Sequence, residues 1–176
     1  MKKFLALILF MFAFTFVNAQ TAQNASLPEI HSAMIYNFVK YVQWPNTEKP
    51  DFVLAVYGDE EIYNLMHQRY NDKPKASQKM KVILIKNISD VANCDVVYIA
   101  KSKNKDFVKI KDIIFNKPIL TITDSQNLGQ QGSCINLKVV DQKMKFEVNE
   151  ESFNSNGLKI SSQLTSMAIM IKVEKL

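Results

Sequence analysis

Arginine is almost absent from this chain of 176 residues: Arg69 is the only one, and nearly all of the positive charge is lysine. Nucleic-acid binding draws on basic residues, often arginine, clustered on one face. Here the lysines alternate with polar and acidic residues, as in Lys101-Ser102-Lys103-Asn104-Lys105-Asp106, which describes a solvated face. No nucleic-acid partner is expected. Histidine is scarce as well. His31 and His67 fit no HExxH or paired-histidine spacing and have no cysteine at zinc-like intervals, so no metal site is expected. No GxSxG elbow is present for a serine hydrolase. The stretch Gly129-Gln130-Gln131-Gly132-Ser133-Cys134 offers glycines and a thiol, yet it leads into a strand-like run. A phosphate-cradling loop leads into a helix instead. This stretch reads as a turn. Without a nucleophile–base pattern or a cofactor motif, the sequence points away from an enzyme.

What is present begins at the N-terminus. Lys2 and Lys3 precede an apolar run from Phe4 to Val17, and Val17-Asn18-Ala19 closes it with small or apolar residues. This is the form of a secretory signal, with cleavage expected before Gln20. A membrane-spanning helix needs about 20 apolar residues, more than this run supplies. Residues 1–19 are therefore expected to be removed and the protein to be exported through the inner membrane. Their loss leaves 20 basic and 17 acidic residues, lowering the formal charge from +5 to +3. Residues 20–26 are small and polar and read as a loose lead. The remainder, 27–176, suits one domain with a sizeable core.

Two cysteines in an oxidising compartment raise the question of a disulfide. Cys94 and Cys134 each open an apolar run. A bridge would close a loop of about 40 residues and contribute up to roughly 4 kcal/mol. The alternative is a pair of buried free thiols packing as small hydrophobes. Sequence leaves both open.

The rest of the chain alternates helices and strands. Ser26, Pro28 and Glu29 mark a helix start, and Leu27, Ile30, Met34 and Phe38 recur at helical spacing over 27–42, ended by Trp44-Pro45. Strands are expected at 52–57, 80–85, 96–99 and 119–123. Helices are expected at 60–70 and 104–115, with a short helical piece at 88–93 and a loop at 71–79. Two further strands, 134–140 and 143–148, meet at a tight Asp141-Gln142 turn. A last helix starts at Ser161 or Ser162 and carries Leu164, Met167, Ala168 and Ile171 on one side. Four continuous apolar runs separated by helices predict a single-domain α/β, Rossmann-like fold. Its central sheet is largely parallel, with helices on both faces and an antiparallel edge hairpin.

In such sheets ligands sit at the carboxyl ends of the strands. Those ends carry Gly58, Asp59, Lys101, Ser102, Thr123, Asp124 and Ser125. Gly58, Asp59, Ser102, Asp124 and Ser125 are the candidates for a solute crevice, although Asp and Ser there also serve as helix caps. The second candidate surface is apolar. Tyr41 and Trp44 stand at a helix end, and large aromatics are favoured at interfaces. With Phe146 and Phe153 they form the expected partner-binding patch.

The pattern Ala33-Met34-Ile35-Tyr36-Asn37-Phe38-Val39-Lys40-Tyr41-Val42-Gln43-Trp44-Pro45 resembles the N-terminal signature of YfiR-like periplasmic proteins. Further matches follow in order at 52–58, 94–99, 118–124, 132–137, 145–149 and 157–164, so the resemblance covers about 27–171. It implies a Rossmann-like fold without catalysis or cofactor. It also implies restraint of an inner-membrane sensor, a diguanylate cyclase or a sensor kinase, in envelope or redox signalling that controls cyclic di-GMP and biofilm formation. Such a protein meets the membrane only through its partner. A homodimer and disulfides are implied too, and Cys94 and Cys134 fall where family members carry cysteines. Some relatives have four cysteines, where this chain has two.

Overall fold

The structure is a computed structural model that describes residues 25–45 and 49–171. The expected signal at 1–19 and most of the expected lead at 20–26 lie outside the described residues. The first helix among the described residues, α1 (Leu27–Tyr41), begins with a capping box: the Ser26 side chain accepts from the Glu29 N–H while Glu29 reaches back to the Ser26 N–H. Its buried positions, His31, Ser32, Ile35, Phe38 and Val39, form one stripe.

After a two-residue strand, β1 (Val42–Gln43), the main sheet begins with β2 (Asp51–Tyr57). There follow α2 (Glu60–Tyr70), β3 (Pro74–Lys75), β4 (Gln78–Ile85), a 3-10 turn (Ile88–Asn93) and β5 (Val96–Ile99). A second 3-10 turn (Lys101–Asp106) runs into α3 (Phe107–Ile113), then β6 (Leu120–Thr123), β7 (Ile135–Val140) and β8 (Lys143–Asn149). The described residues end with α4 (Glu150–Ser155), β9 (Lys159–Ile160), α5 (Ser162–Met167) and β10 (Ile169–Ile171).

Among the described residues the sheet has 8 strands in the order β10-β8-β7-β6-β5-β2-β4-β3. The run β4-β2-β5-β6-β7 is parallel throughout. This is a doubly wound order, whose direction reverses between β2 and β5. β7 and β8 form the expected antiparallel hairpin, and β10 joins β8 in parallel outside it. Side-chain alternation divides the core in two. Leu54, Val56, Tyr98, Leu120 and Ile122 face α1, α2, α4 and α5, while Ala55, Val97 and Ile99 face α3 and the first 3-10 turn.

Several expected elements change. Residues 71–79 are not wholly loop, because Pro74–Lys75 pairs antiparallel with the start of β4. The helix expected over 104–115 is α-helical only from Phe107 to Ile113. The last helix stops at Met167, so Ile171 lies in a strand. Helix α4 and the small β1–β9 pair had no separate sequence signal.

Candidate functional site

The carboxyl ends of the parallel strands align Tyr57, Ile99 and Thr123 in register. Because α1 runs against the strands, its first turns lie over this edge and bring His31 down onto it. Tyr98 Oη donates to Asp124 Oδ2 at 2.9 Å, and His31 Nδ1 lies 3.3 Å from Tyr98 Oη and 3.9 Å from Asp124 Oδ2. The phenol has one proton and gives it to Asp124. His31 therefore completes a one-directional chain when Nδ1 carries hydrogen and donates to Tyr98.

Burial sets the electrostatics of this chain. It holds the His31 imidazole below its ordinary range, with Asp124 and Asp59 partly opposing the shift. It also raises the Asp124 carboxyl, against the Tyr98 hydrogen bond, the His31 ring and the Lys101 N–H. The Tyr98 phenol is raised by burial and by the Asp124 charge. Ser32 Oγ, Asp124 Oδ1 and Ser125 Oγ are buried with no hydrogen-bond partner among the described residues. Three orphaned polar atoms at one edge are unusual, since buried polar groups are normally paired.

The residue types resemble a hydrolytic triad, but the arrangement is different. Tyr98 stands between the histidine and the carboxylate, and Ser32 and Ser125 are buried. A nucleophile must meet its substrate while hydrogen-bonded to its base. The geometry suits the holding of a proton.

The five crevice candidates are divided by the fold. Asp124 joins the His31–Tyr98 chain, while Ser125 beside it is buried with its Oγ unpaired. Asp59 caps α2, its Oδ1 accepting from the Ile62 N–H at 2.9 Å. Ser102 donates to the Gly58 carbonyl at 2.8 Å. Gly58 itself has φ +91°, and an added Cβ there would stand 2.3 Å from Lys103 Cγ. A cavity of about 250 Å³ lies beside this turn, lined by Tyr57, Gly58, Asp59, Leu84, Lys86 and Lys103. Sequence reasoning missed His31, Ser32 and Tyr98. His31 had no partner in sequence, and Tyr98 sat within an apolar strand.

The aromatic candidates also separate. Phe153 is 0% exposed and Phe146 8%; both belong to the core, where Phe146 packs on Phe38 at 4.9 Å. Apolar rings of this size are drawn inward by their area, so neither contributes to an exposed patch. Tyr41 and Trp44 are half-buried at the opposite, amino-terminal edge of the strands. Trp44 donates from Nε1 to the Asp95 carbonyl at 3.2 Å and meets Phe52 edge-on at 4.8 Å. Lys75 Nζ lies over its ring at 5.2 Å, a cation–π contact. The Trp44 ring lines a groove of about 290 Å³ with Lys40, Pro45, Lys75 and Gln78.

Cys94 and Cys134 are both free and buried, and they belong to different hydrophobic clusters. The bridge that the sequence left open is not formed. Burial and the neighbouring Asp95 and Asp90 push the Cys94 thiol up to about 12, and burial raises Cys134 as well.

No curated protein matches this chain. Among solved structures, a conserved domain protein from Vibrio cholerae O1 biovar El Tor is similar, with a TM-score of 0.54 and 12% identity. The likeness covers 84% of this chain and 60% of that one, so this chain spans about three fifths of the Vibrio protein. At this identity it supports the fold alone. The ABC domain from Streptococcus pneumoniae, solved in complex with L-Trp, gives a TM-score of 0.46 and 10% identity over 69% of this chain and 55% of that one. The YfiR/HmsC-like family description matches residues 28–169, from the first turn of α1 to the start of β10. The chain belongs to the YfiR/HmsC-like family.

Proposed function

We propose that this protein is a non-enzymatic periplasmic regulator that binds and restrains an inner-membrane sensor, a diguanylate cyclase, and so holds down cyclic di-GMP and biofilm formation. The observation that carries this reading is the family match over nearly all of the described chain. Among the described residues no helix is long and apolar enough to cross a membrane; in the proposed reading, contact with the membrane runs through the partner. The docking surface is the Trp44 groove with Tyr41 beside it. Trp44 is held from three sides, which reduces the entropy a partner must remove on binding. A homodimer is part of the same proposal.

The test is capture of the mature tagged protein on detergent-solubilised membranes from its own cells. A cyclase with a periplasmic sensor region should be recovered with the wild type and lost with Trp44→Ala. Equal recovery with both proteins would remove the groove from the interface, and recovery of no membrane protein would sink the reading.

A second reading is a small-solute binding protein using the strand-end crevice. The cavity beside Gly58 and Asp59 favours it, though about 250 Å³ is small against ordinary ligand pockets of roughly 300–1,000 Å³. A ligand that binds only the folded state raises Tm. A panel of amino acids and related metabolites that leaves Tm unchanged would remove this reading.

A further inference from the structure

The strand-end polar chain has no part in the Trp44 groove, yet it brings three ionisable side chains together, with His31 and Tyr98 both buried. We propose that His31, Tyr98 and Asp124 form a proton-responsive latch that fastens the first turns of α1 to the sheet and loosens when the surroundings turn acidic. The proposal rests on placement. One helix supplies the histidine, a central strand the phenol and the loop after β6 the carboxylate, so the chain ties three elements together. His31 is 5% exposed and Tyr98 0%, which leaves little room for solvent to stabilise a new charge.

The event is a single proton taken from solvent onto His31 Nε2. Nδ1 keeps its hydrogen toward Tyr98, and the buried ring gains one positive charge. Facing that charge are Asp124 at 3.9 Å, the Tyr98 phenol, and Asp59 from the turn before α2. From α2, Arg69 reaches the start of α1, where it pairs with Glu29 at 2.9 Å on the surface. The described residues of α5, which also touches α1, carry no ionisable side chain.

The sign follows from the two environments. His31 when buried takes a proton less readily than at its ordinary value of 6.5, so the released helix end binds more protons than the latched one. The latch is at full strength above about pH 6.5 and weakens as pH falls below it. Asp124 acts in the opposite sense, because its raised carboxyl favours the closed form once protonated. One titrating group changes an equilibrium by at most about tenfold per pH unit.

Amide hydrogen exchange on the mature protein, corrected for intrinsic rates, tests this directly. Between pH 6.5 and 5.5 protection over residues 30–36 should fall by up to about fivefold relative to the β2 amides. The His31→Gln variant keeps a hydrogen-bond donor without titrating and should change less than twofold. His67→Gln should behave as wild type. A pH response that survives His31→Gln, or that is lost in His67→Gln, overturns the latch. The wild-type imidazole can be followed by NMR whether or not the variant folds. His31 in the latched form must titrate below 6.5, and the loosening of α1 must run from about 6.5 down to that lower value. Titration at or above 6.5, or loosening that begins only below the pH at which His31 titrates, also overturns it.

Discussion

Trp44 and Phe153 were read from the sequence as equals, and the fold gives them different work. Trp44 keeps one face toward a groove while its N–H is tied to the Asp95 carbonyl. Trp44→Ala should cost roughly 2 kcal/mol of stability, below the 3–5 kcal/mol of a fully buried aromatic, so the variant stays folded for the capture experiment. Phe153→Ala removes a ring with no exposure and should cost about 3–5 kcal/mol, read by urea unfolding. The cysteines give a further residue-scale expectation. A thiol held near 12 is thiolate about once in 10⁵ molecules at neutral pH, so native Cys94 should resist alkylation and react once denatured. Rapid labelling of the native protein would contradict this. The candidate site itself was only half legible. Asp124 and Ser125 were readable from their position after an apolar strand. His31 and Tyr98 were not, because His31 is 67 residues from Tyr98 in the chain and only the fold joins them.

At the scale of elements, local chemistry and structure agree wherever the signal is long or carries a cap. Ser26 and Glu29 form the capping box that their spacing suggested. The tight turn at Asp141 and Gln142 has φ of +50° and +60°, the left-handed pair that a two-residue hairpin requires. Asp59 caps α2, so Asp59→Ala should lower stability by about 1 kcal/mol and Asp59→Asn by less, as measured by Tm. Equal losses would show that charge, not the hydrogen bond, makes the cap. The continuous apolar strands β2, β5 and β6 were legible because both faces are buried. The two-residue strands β1, β3 and β9 were not, since so short a segment has no period. At the C-terminal end, Leu164, Met167, Ala168 and Ile171 satisfy a helical repeat, but tertiary pairing with β8 overrides it and draws Ile169–Ile171 into the sheet.

Over the whole molecule α1 links the two features proposed to bear on function. Its 15 residues span about 22 Å at 1.5 Å per residue, from the His31 chain at one edge of the sheet to Tyr41 and Trp44 at the other. A helix clamped at both ends can carry a change at one into the other if it has two arrangements. That is the physical requirement for a regulator whose hold on a partner responds to its surroundings. Both cysteines being free and buried, reductant should leave partner capture unchanged. The central claim, restraint of a diguanylate cyclase, is tested most directly by measuring intracellular cyclic di-GMP in cells that lack this protein. The level should rise, return to normal when the exported wild-type chain is restored, and stay high with Trp44→Ala. An unchanged level on loss of the protein would contradict the claim.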